Sequence, residues 1–329
     1  MAPGAPPPAC SSRPCSLLDL PDDLLAQIAD HALDSDVVNF WRLSRVSRAA
    51  KSLVEAAAGR RRALGGDASS RCLRMRTSLA EPALPLRRLL SCMHGLEELD
   101  LSGAHAWVRD DGGVAVAAAI ADAPFAANLR GLKLDHCERF GSAGAERLLV
   151  RALGDEGDLD SPRAPRLPRL RELSLRSCRG LDSLALLGTL PSLERLDCAW
   201  CPKADAACFA GAGPPALRQD GVYGGAHRGQ RKGQPRPPPR LRYLDLSGVE
   251  GMHDSCVAGL PRALTELRLA ATAVSDAGLS AIAERLPELR RLVLPRPAGN
   301  LWASGSWTEG GLAELRRRRP DLQVELASA

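Results

Sequence analysis

A spacing of leucines, Leu-x-x-Leu-x-Leu, constrains this chain more tightly than any other feature of its 329 residues. It stands at Leu96-Leu99-Leu101, Leu129-Leu132-Leu134, Leu170-Leu173-Leu175, Leu241-Leu244-Leu246, Leu264-Leu267-Leu269 and Leu289-Leu292-Leu294. A seventh copy, Leu193-Leu196-Cys198, ends in a small apolar residue instead. The same register exposes weaker copies at Leu73-Arg74-Met75 and at Leu217 with Asp220 and Val222, and Leu322-Gln323-Val324 closes the series. The alternation Leu-x-Leu turns two side chains to one side of a short strand. One such unit cannot bury its apolar side alone, so neighbouring units must stack and align their strands into a parallel sheet.

The segments between strands carry helix signals. Ser275-Asp276 precedes Leu279, Ile282 and Leu286, and Thr308-Glu309 precedes Leu312 and Leu315, each a polar cap before apolar residues at helical spacing. Asp110-Asp111 and His253-Asp254 open in the same way. The expected unit is strand, turn, helix, strand throughout: an α/β solenoid with a parallel sheet on its concave face and helices outside. A regular core of this kind also explains why 4 Phe, 5 Trp and 2 Tyr suffice, since irregular cores lean on the large area that aromatics bury. Strand starts fall 33, 41, 23, 24, 24, 23 and 25 residues apart from Leu96 to Leu289. A polar insertion near 154–168 accounts for the longest step. The repeat at Leu217 is expected to lack a helix, because the Gly/Pro/basic stretch 224–240 cannot bury a core; it reads as an exposed loop.

Residues 17–60 stand apart from the repeats, after a disordered 1–16 and before a solenoid over 61–329. Asp19-Leu20-Pro21-Asp22-Asp23-Leu24-Leu25 with Ile28 reads as a helix start, proline in its first turn and carboxylates at its positive end. Asp34-Ser35-Asp36 caps a second short helix holding Phe40 and Trp41, and a third runs from Val46 to Val54. Three helices in so few residues bury little, so this module leans on the solenoid or on a partner. The N-terminal stretch has neither the apolar run of a signal peptide nor the character of a transit peptide, and no apolar run approaches the ~18 residues of a membrane span. The expectation is a soluble intracellular protein, in the cytoplasm, the nucleus or both, with its ten cysteines reduced. The net charge is +5, from 44 basic and 39 acidic residues, and the arginines are scattered beside Glu and Asp rather than gathered on a nucleic-acid face.

Leu20-Pro21-Asp22-Asp23-Leu24-Leu25 with Ile28, then Val46-Ser47-Arg48 and the closing Leu53, resembles an F-box. The C-terminal copies resemble the cysteine-containing, ribonuclease-inhibitor-like leucine-rich repeats that follow F-boxes, with the cysteine at Cys137, Cys178 and Cys201 and with Ala104, Val249 and Thr272 at that position elsewhere. The F-box departs from its family at Ala50, where a tryptophan is usual; Trp41 sits earlier. The resemblance implies a substrate-recognition subunit of an SCF-type E3 ubiquitin ligase. The F-box would dock on a Skp1-like adaptor within a cullin complex, and the repeats would hold the protein substrate. By resemblance, Leu20, Pro21, Leu24, Leu25, Ile28, Val46 and Leu53 belong either to the adaptor interface or to the module core. Such a subunit is no enzyme; it acts by proximity, bringing a substrate lysine to a charged carrier. Two other readings stay open. One is a ligase-independent repeat scaffold or inhibitor whose N-terminal helices only cap the solenoid. The other is a nucleic-acid binder using residues 228–240 and the run Arg316–Arg319, which the want of interleaved aromatics disfavours.

Catalytic spacing is missing: there is no Gly-x-x-x-x-Gly-Lys-Ser/Thr loop, no His-Glu-x-x-His and no Gly-x-Ser-x-Gly. No cofactor or metal is expected. Cys198-Ala-Trp-Cys201 has redox or zinc spacing, but the repeat register places Cys198 at an inward leucine position and Cys201 at the repeat's own cysteine position, so both are expected to be structural. In that register the first, fourth and sixth positions point inward and the third, fifth, seventh and eighth face the concave side. Contact hot spots favour Trp, Tyr and Arg; Arg176, Arg195, Trp200, Tyr243 and Arg268 are therefore the candidate substrate-binding patch.

Overall fold

Each leucine triplet needs one pleat to bury its fourth and sixth residues, and the strands are correspondingly short. They are β1 (Ala63–Leu64), β2 (Glu98–Asp100), β3 (Gly131–Lys133), β4 (Glu172–Ser174), β5 (Arg195–Asp197), β6 (Tyr243–Asp245), β7 (Glu266–Arg268), β8 (Arg291–Pro295) and β9 (Gln323–Ala327). All pair in parallel and in chain order. The structure, a computed structural model, describes residues 63–64, 93–103, 111–149, 166–185, 190–209, 238–295 and 307–327, with Ser52, Ala56, Arg87, Leu90, Ser91 and Leu187 as single positions. The F-box-like residues Leu20, Pro21, Leu24, Leu25, Ile28, Val46 and Leu53 lie outside the described residues, as do 154–165 and 224–237 of the two insertions.

The register aligns Leu99, Leu132, Leu173, Leu196, Leu244, Leu267 and Leu292 in one column that ends at Val324. With the leucines at the first and sixth positions they form a single continuous core. This is a leucine-rich-repeat solenoid, with the sheet on one side of that core and helices or tight turns on the other. Two weak copies are corrected. The strand beside β2 is Ala63–Leu64, not Leu73-Arg74-Met75. β5 pairs directly with β6, so the copy at Leu217 supplies no strand between them. The copy at Leu217 has Asp220 and Val222 at its fourth and sixth positions, and Asp220 would break the leucine column.

Among the described residues, the helices with both ends defined are α1 (Val114–Ala121), α2 (Ser142–Leu149), α3 (Asp254–Val257), α4 (Asp276–Arg285) and α5 (Glu309–Arg318). Ser275 caps α4, its hydroxyl accepting from the Ala277 N–H at 3.2 Å, and Thr308 caps α5, accepting from Gly311 at 3.1 Å. A helix in every unit is not what forms. Between β4 and β5 the buried residues Leu175, Cys178, Leu181, Leu184, Leu187, Leu190 and Leu193 recur every third position. Five of the six steps carry backbone bonds from one residue to the third before it, such as Leu187 to Leu184 at 3.1 Å. A threefold spacing suits 3₁₀-type turns, whose residues eclipse every third position, and a 23-residue unit is short enough to close this way. The next crossing likewise uses a short 3₁₀ turn, Ala206–Phe209.

Three helices meet the preceding rung through glycine. A Cβ on Gly144 would lie 2.5 Å from the Gly112 carbonyl oxygen, and those on Gly278 and Gly311 would run into the carboxylates of Asp254 and Asp276. Those two carboxylates are fully used. Asp254 accepts from Ser275, backbone and hydroxyl, and Asp276 accepts from the Thr308 N–H at 2.7 Å and hydroxyl at 2.8 Å. The first residue of one helix thus anchors the cap of the next. Among the described residues no helix is long and apolar enough to cross a membrane.

Candidate functional site

The concave face is built by repetition. The third positions of successive rungs read Glu98, Gly131, Glu172, Arg195, Tyr243, Glu266 and Arg291; the fifth read Asp100, Lys133, Ser174, Asp197, Asp245, Arg268 and Val293. Where the fifth residue is aspartate it folds the turn that follows: Asp100, Asp197 and Asp245 each accept the N–H two residues on, from Ser102, Ala199 and Ser247, all at 2.9 Å. Ser174 has no carboxylate to do this. Asp135 of the neighbouring rung does it instead, accepting from the Ser174 hydroxyl and from the Arg176 N–H at 3.1 Å. Asp245 and Ser174 are consequently buried, which corrects the expectation that both line the solvated surface.

The eighth position has a backbone signature. Gly103, His136, Ser177, Trp200, Gly248 and Ala271 all adopt positive φ, between 54° and 73°. In the first five, the N–H donates to the seventh-position carbonyl of the next rung, at 2.6–2.8 Å. The ladder between rungs thereby continues through the turn and fixes a conformation that favours glycine.

Three of the five candidate residues come together. Arg195 and Tyr243 are register partners on β5 and β6, and the Arg195 guanidinium carbon lies 4.2 Å from the Tyr243 ring centroid. Arg268, from the strand on the other side, lies at 5.5 Å. Arg195 also faces Glu172 at 3.8 Å, and Arg268 bonds Glu266 at 2.8 Å. The Arg176 guanidinium pairs loosely with Asp197, 4.0 Å away. Trp200 lies along the turn row rather than in the stack. Its ring rests on Gly248, where a Cβ would come within 2.7 Å of it, and it is 49% exposed, the one exposed large hydrophobic among the described residues.

Between β3 and β6 the face sinks into a depression of about 170 Å³ lined by Lys133, Asp135, Glu172, Leu173, Ser174, Arg195, Asp197 and Tyr243. Burial pushes the Asp197 carboxyl up to about 6; the Ala199 N–H and Arg176 oppose the shift, while Asp245 and Asp135 add to it. Burial likewise pushes the Tyr243 hydroxyl up to about 12, with Asp245 adding to the shift. Sequence reasoning placed Asp135, Asp197 and Asp245 on this face but did not select them. For Asp197 and Asp245 the available signal was aspartate recurring, with Asp100, at the fifth position; Asp135 stands at the seventh.

The cysteines form a ladder behind the face. Cys201 donates to the Leu175 carbonyl at 3.1 Å, Cys178 to Leu134 at 3.2 Å and Cys137 to Leu101 at 3.6 Å, each reaching the sixth residue of the rung before. Cys198 and Cys201 are both buried, and burial pushes the Cys201 thiol up to about 12 and that of Cys178 higher still. Thiols held protonated in this way are poor nucleophiles and poor metal ligands.

No protein-family model matches the sequence, and no curated protein matches it either. Among solved structures the chain is similar to an internalin of Listeria monocytogenes (13% identity, TM-score 0.35, covering 73% of this chain and 64% of that one). It is also similar to a leucine-rich-repeat protein of Leptospira interrogans (14% identity, TM-score 0.36, 76% and 52%). A third similarity is to a chain of the yeast Rad7–Elc1 complex (13% identity, TM-score 0.40, 94% and 88%). The chain therefore spans less than two thirds of the first two. The fold assignment rests on the leucine column and the nine-stranded ladder themselves.

Proposed function

We propose that this chain is the substrate-recognition subunit of an SCF-type E3 ubiquitin ligase, its F-box-like module docking on a Skp1-like adaptor in a cullin complex and its repeats holding a protein substrate. It works without a catalytic residue or cofactor, in the cytoplasm, the nucleus or both. The binding half of this reading is carried by one observation: an open sheet face on which Arg195, Tyr243 and Arg268 stack beside an exposed Trp200, the residue types that dominate protein contacts. The adaptor half is carried by Leu20-Pro21-Asp22-Asp23-Leu24-Leu25 and the residues that follow it.

The test is co-purification of the full chain with a Skp1 adaptor, comparing wild type with a Leu20→Ala/Pro21→Ala/Leu24→Ala variant whose circular dichroism is unchanged. Adaptor retained by wild type and lost by the variant is the expected outcome. No adaptor with wild type would overturn the ligase half and leave a protein-binding scaffold capped by its N-terminal helices.

A further inference from the structure

We infer that the concave face between β3 and β6 receives a partner segment bearing an arginine or lysine, its cationic head in the depression beside Asp197 and its neighbouring residues over the open face of Trp200. This deepens the proposed function, resting only on its protein-binding half, and names the chemistry that half selects.

Charge is the first argument. The whole chain carries +5, yet the third, fifth and seventh positions of the rungs from β2 to β9 hold eight carboxylates and five cations, a net −3. The concave face is an acidic strip on a basic protein, so it attracts the sign that the rest of the surface repels. Within the depression, Asp197 is only loosely paired. Arg176, its ion-pair partner, stands 4.0 Å off, well beyond the ~2.7–2.9 Å of a charge-assisted bond, while Asp245 on the adjacent strand is buried beside it. An incoming cation gives Asp197 a close partner and offsets the field of Asp245 behind it. The depression next to Asp197, about 170 Å³, is on the scale of one side-chain head.

Aromatic supply is the second argument. Tyr243 shows how this face holds guanidinium groups, but Arg195 and Arg268 already flank it at 4.2 and 5.5 Å. Trp200 is the aromatic left open. It is held there at a cost, since a bulky residue at φ 61° occupies a turn position where the rungs at Gly103 and Gly248 use glycine. Gly248 seats one face of the ring and leaves the other to solvent. An acidic peptide or a nucleic acid would meet the three carboxylates Asp135, Glu172 and Asp197, which outnumber the two cations Lys133 and Arg195 of the same depression.

The experiment is fluorescence anisotropy of the full chain with three labelled twelve-residue peptides: Arg-Gly-Ser, Glu-Gly-Ser and Gln-Gly-Ser, each repeated four times. The arginine peptide is expected to bind, and the other two not. Asp197→Asn, which keeps an acceptor for the Ala199 N–H, and Trp200→Gly, which suits the positive φ, should each weaken it about tenfold, the size of one well-placed contact. Glu314→Gln on α5, away from the sheet, should leave it unchanged. Failure of the arginine peptide to bind, equal binding of the glutamate peptide, or binding indifferent to Asp197→Asn and Trp200→Gly would overturn the inference. Running the adaptor co-purification on the same preparation separates the two proposals: adaptor binding without peptide binding removes only this one, and the converse removes only the ligase reading.

Discussion

At the eighth position of the repeat, four of six side chains sit in left-handed backbone without being glycine: His136, Ser177, Trp200 and Ala271. Each costs about 1–2 kcal/mol against an extended or helical residue, offset at His136, Ser177 and Trp200 by the N–H bond to the next rung. Ala271 is the cleanest test, having no side chain beyond Cβ to lose. Ala271→Gly is expected to stabilise the protein by roughly 0.5–1 kcal/mol, the relief of strain exceeding the added freedom of the unfolded chain; the urea midpoint would show it. Asp197 gives a pH signature. Its folded pKa of about 6 lies above the ordinary 3.8, so the folded state takes up its proton first. Stability from this residue is therefore present below the ordinary carboxylate range, falls as pH rises to about 6, and stays low above that. Burial sets the shift first; the Ala199 N–H and Arg176 oppose it, and Asp245 and Asp135 add to it. Asp197→Asn should raise the urea midpoint at pH 7.5 and flatten its change between pH 5 and 7.5. An unchanged pH profile would refute the assignment.

Elements here are stabilised across rungs more than within them. α4 and α5 have ordinary caps, but Asp276 at the start of α4 also holds the Thr308 N–H and hydroxyl that begin α5. Asp276→Ala should therefore cost about 1–2 kcal/mol, a cap's worth, and hydrogen exchange should rise in the first turn of α5 as well as in α4. Gly144 carries the opposite lesson. Alanine is the better helix former by about 1 kcal/mol, yet its Cβ would sit 2.5 Å from the backbone oxygen of Gly112, which cannot swing aside as a side chain can. The clash wins, and Gly144→Ala is expected to destabilise by about 1–3 kcal/mol, read as a lower melting temperature with the helical signal intact below it. These contacts were not legible beforehand. The capping residues of α4 and α5 were, because a cap is local in sequence; which rung it answers to is not.

In the whole molecule, stability is the sum of rungs and of the interfaces between neighbours, so what matters is which segments become rungs. The 48-residue step from Arg195 to Tyr243 spans one interface, because β5 and β6 are hydrogen-bonded neighbours. Replacing residues 212–236 by a short Gly/Ser linker should leave the stability within about 1 kcal/mol, since loop length enters closure entropy only logarithmically. A loss of several kcal/mol would mean that this segment packs on the solenoid after all. The alternation of charge along the concave face is also a whole-molecule property. Single exposed ion pairs there, such as Arg195–Glu172 at 3.8 Å, contribute little each, but their summed sign sets which partners approach.

The leucine triplets alone determined the parallel sheet, its order and its inward positions, because a period of two within a strand and a recurrence of about 24 residues are local facts that any stacked arrangement must satisfy. They also placed Arg195, Tyr243 and Arg268 on one face. Only the tertiary structure decided the rest. It put Ala63–Leu64 beside β2 and paired β5 directly with β6. It buried Asp245 and Ser174, closed the β4–β5 crossing with 3₁₀ turns, and put Trp200 in left-handed backbone with one face on Gly248. Each of these depends on what the next rung offers across space, and a spacing along the chain carries no record of that.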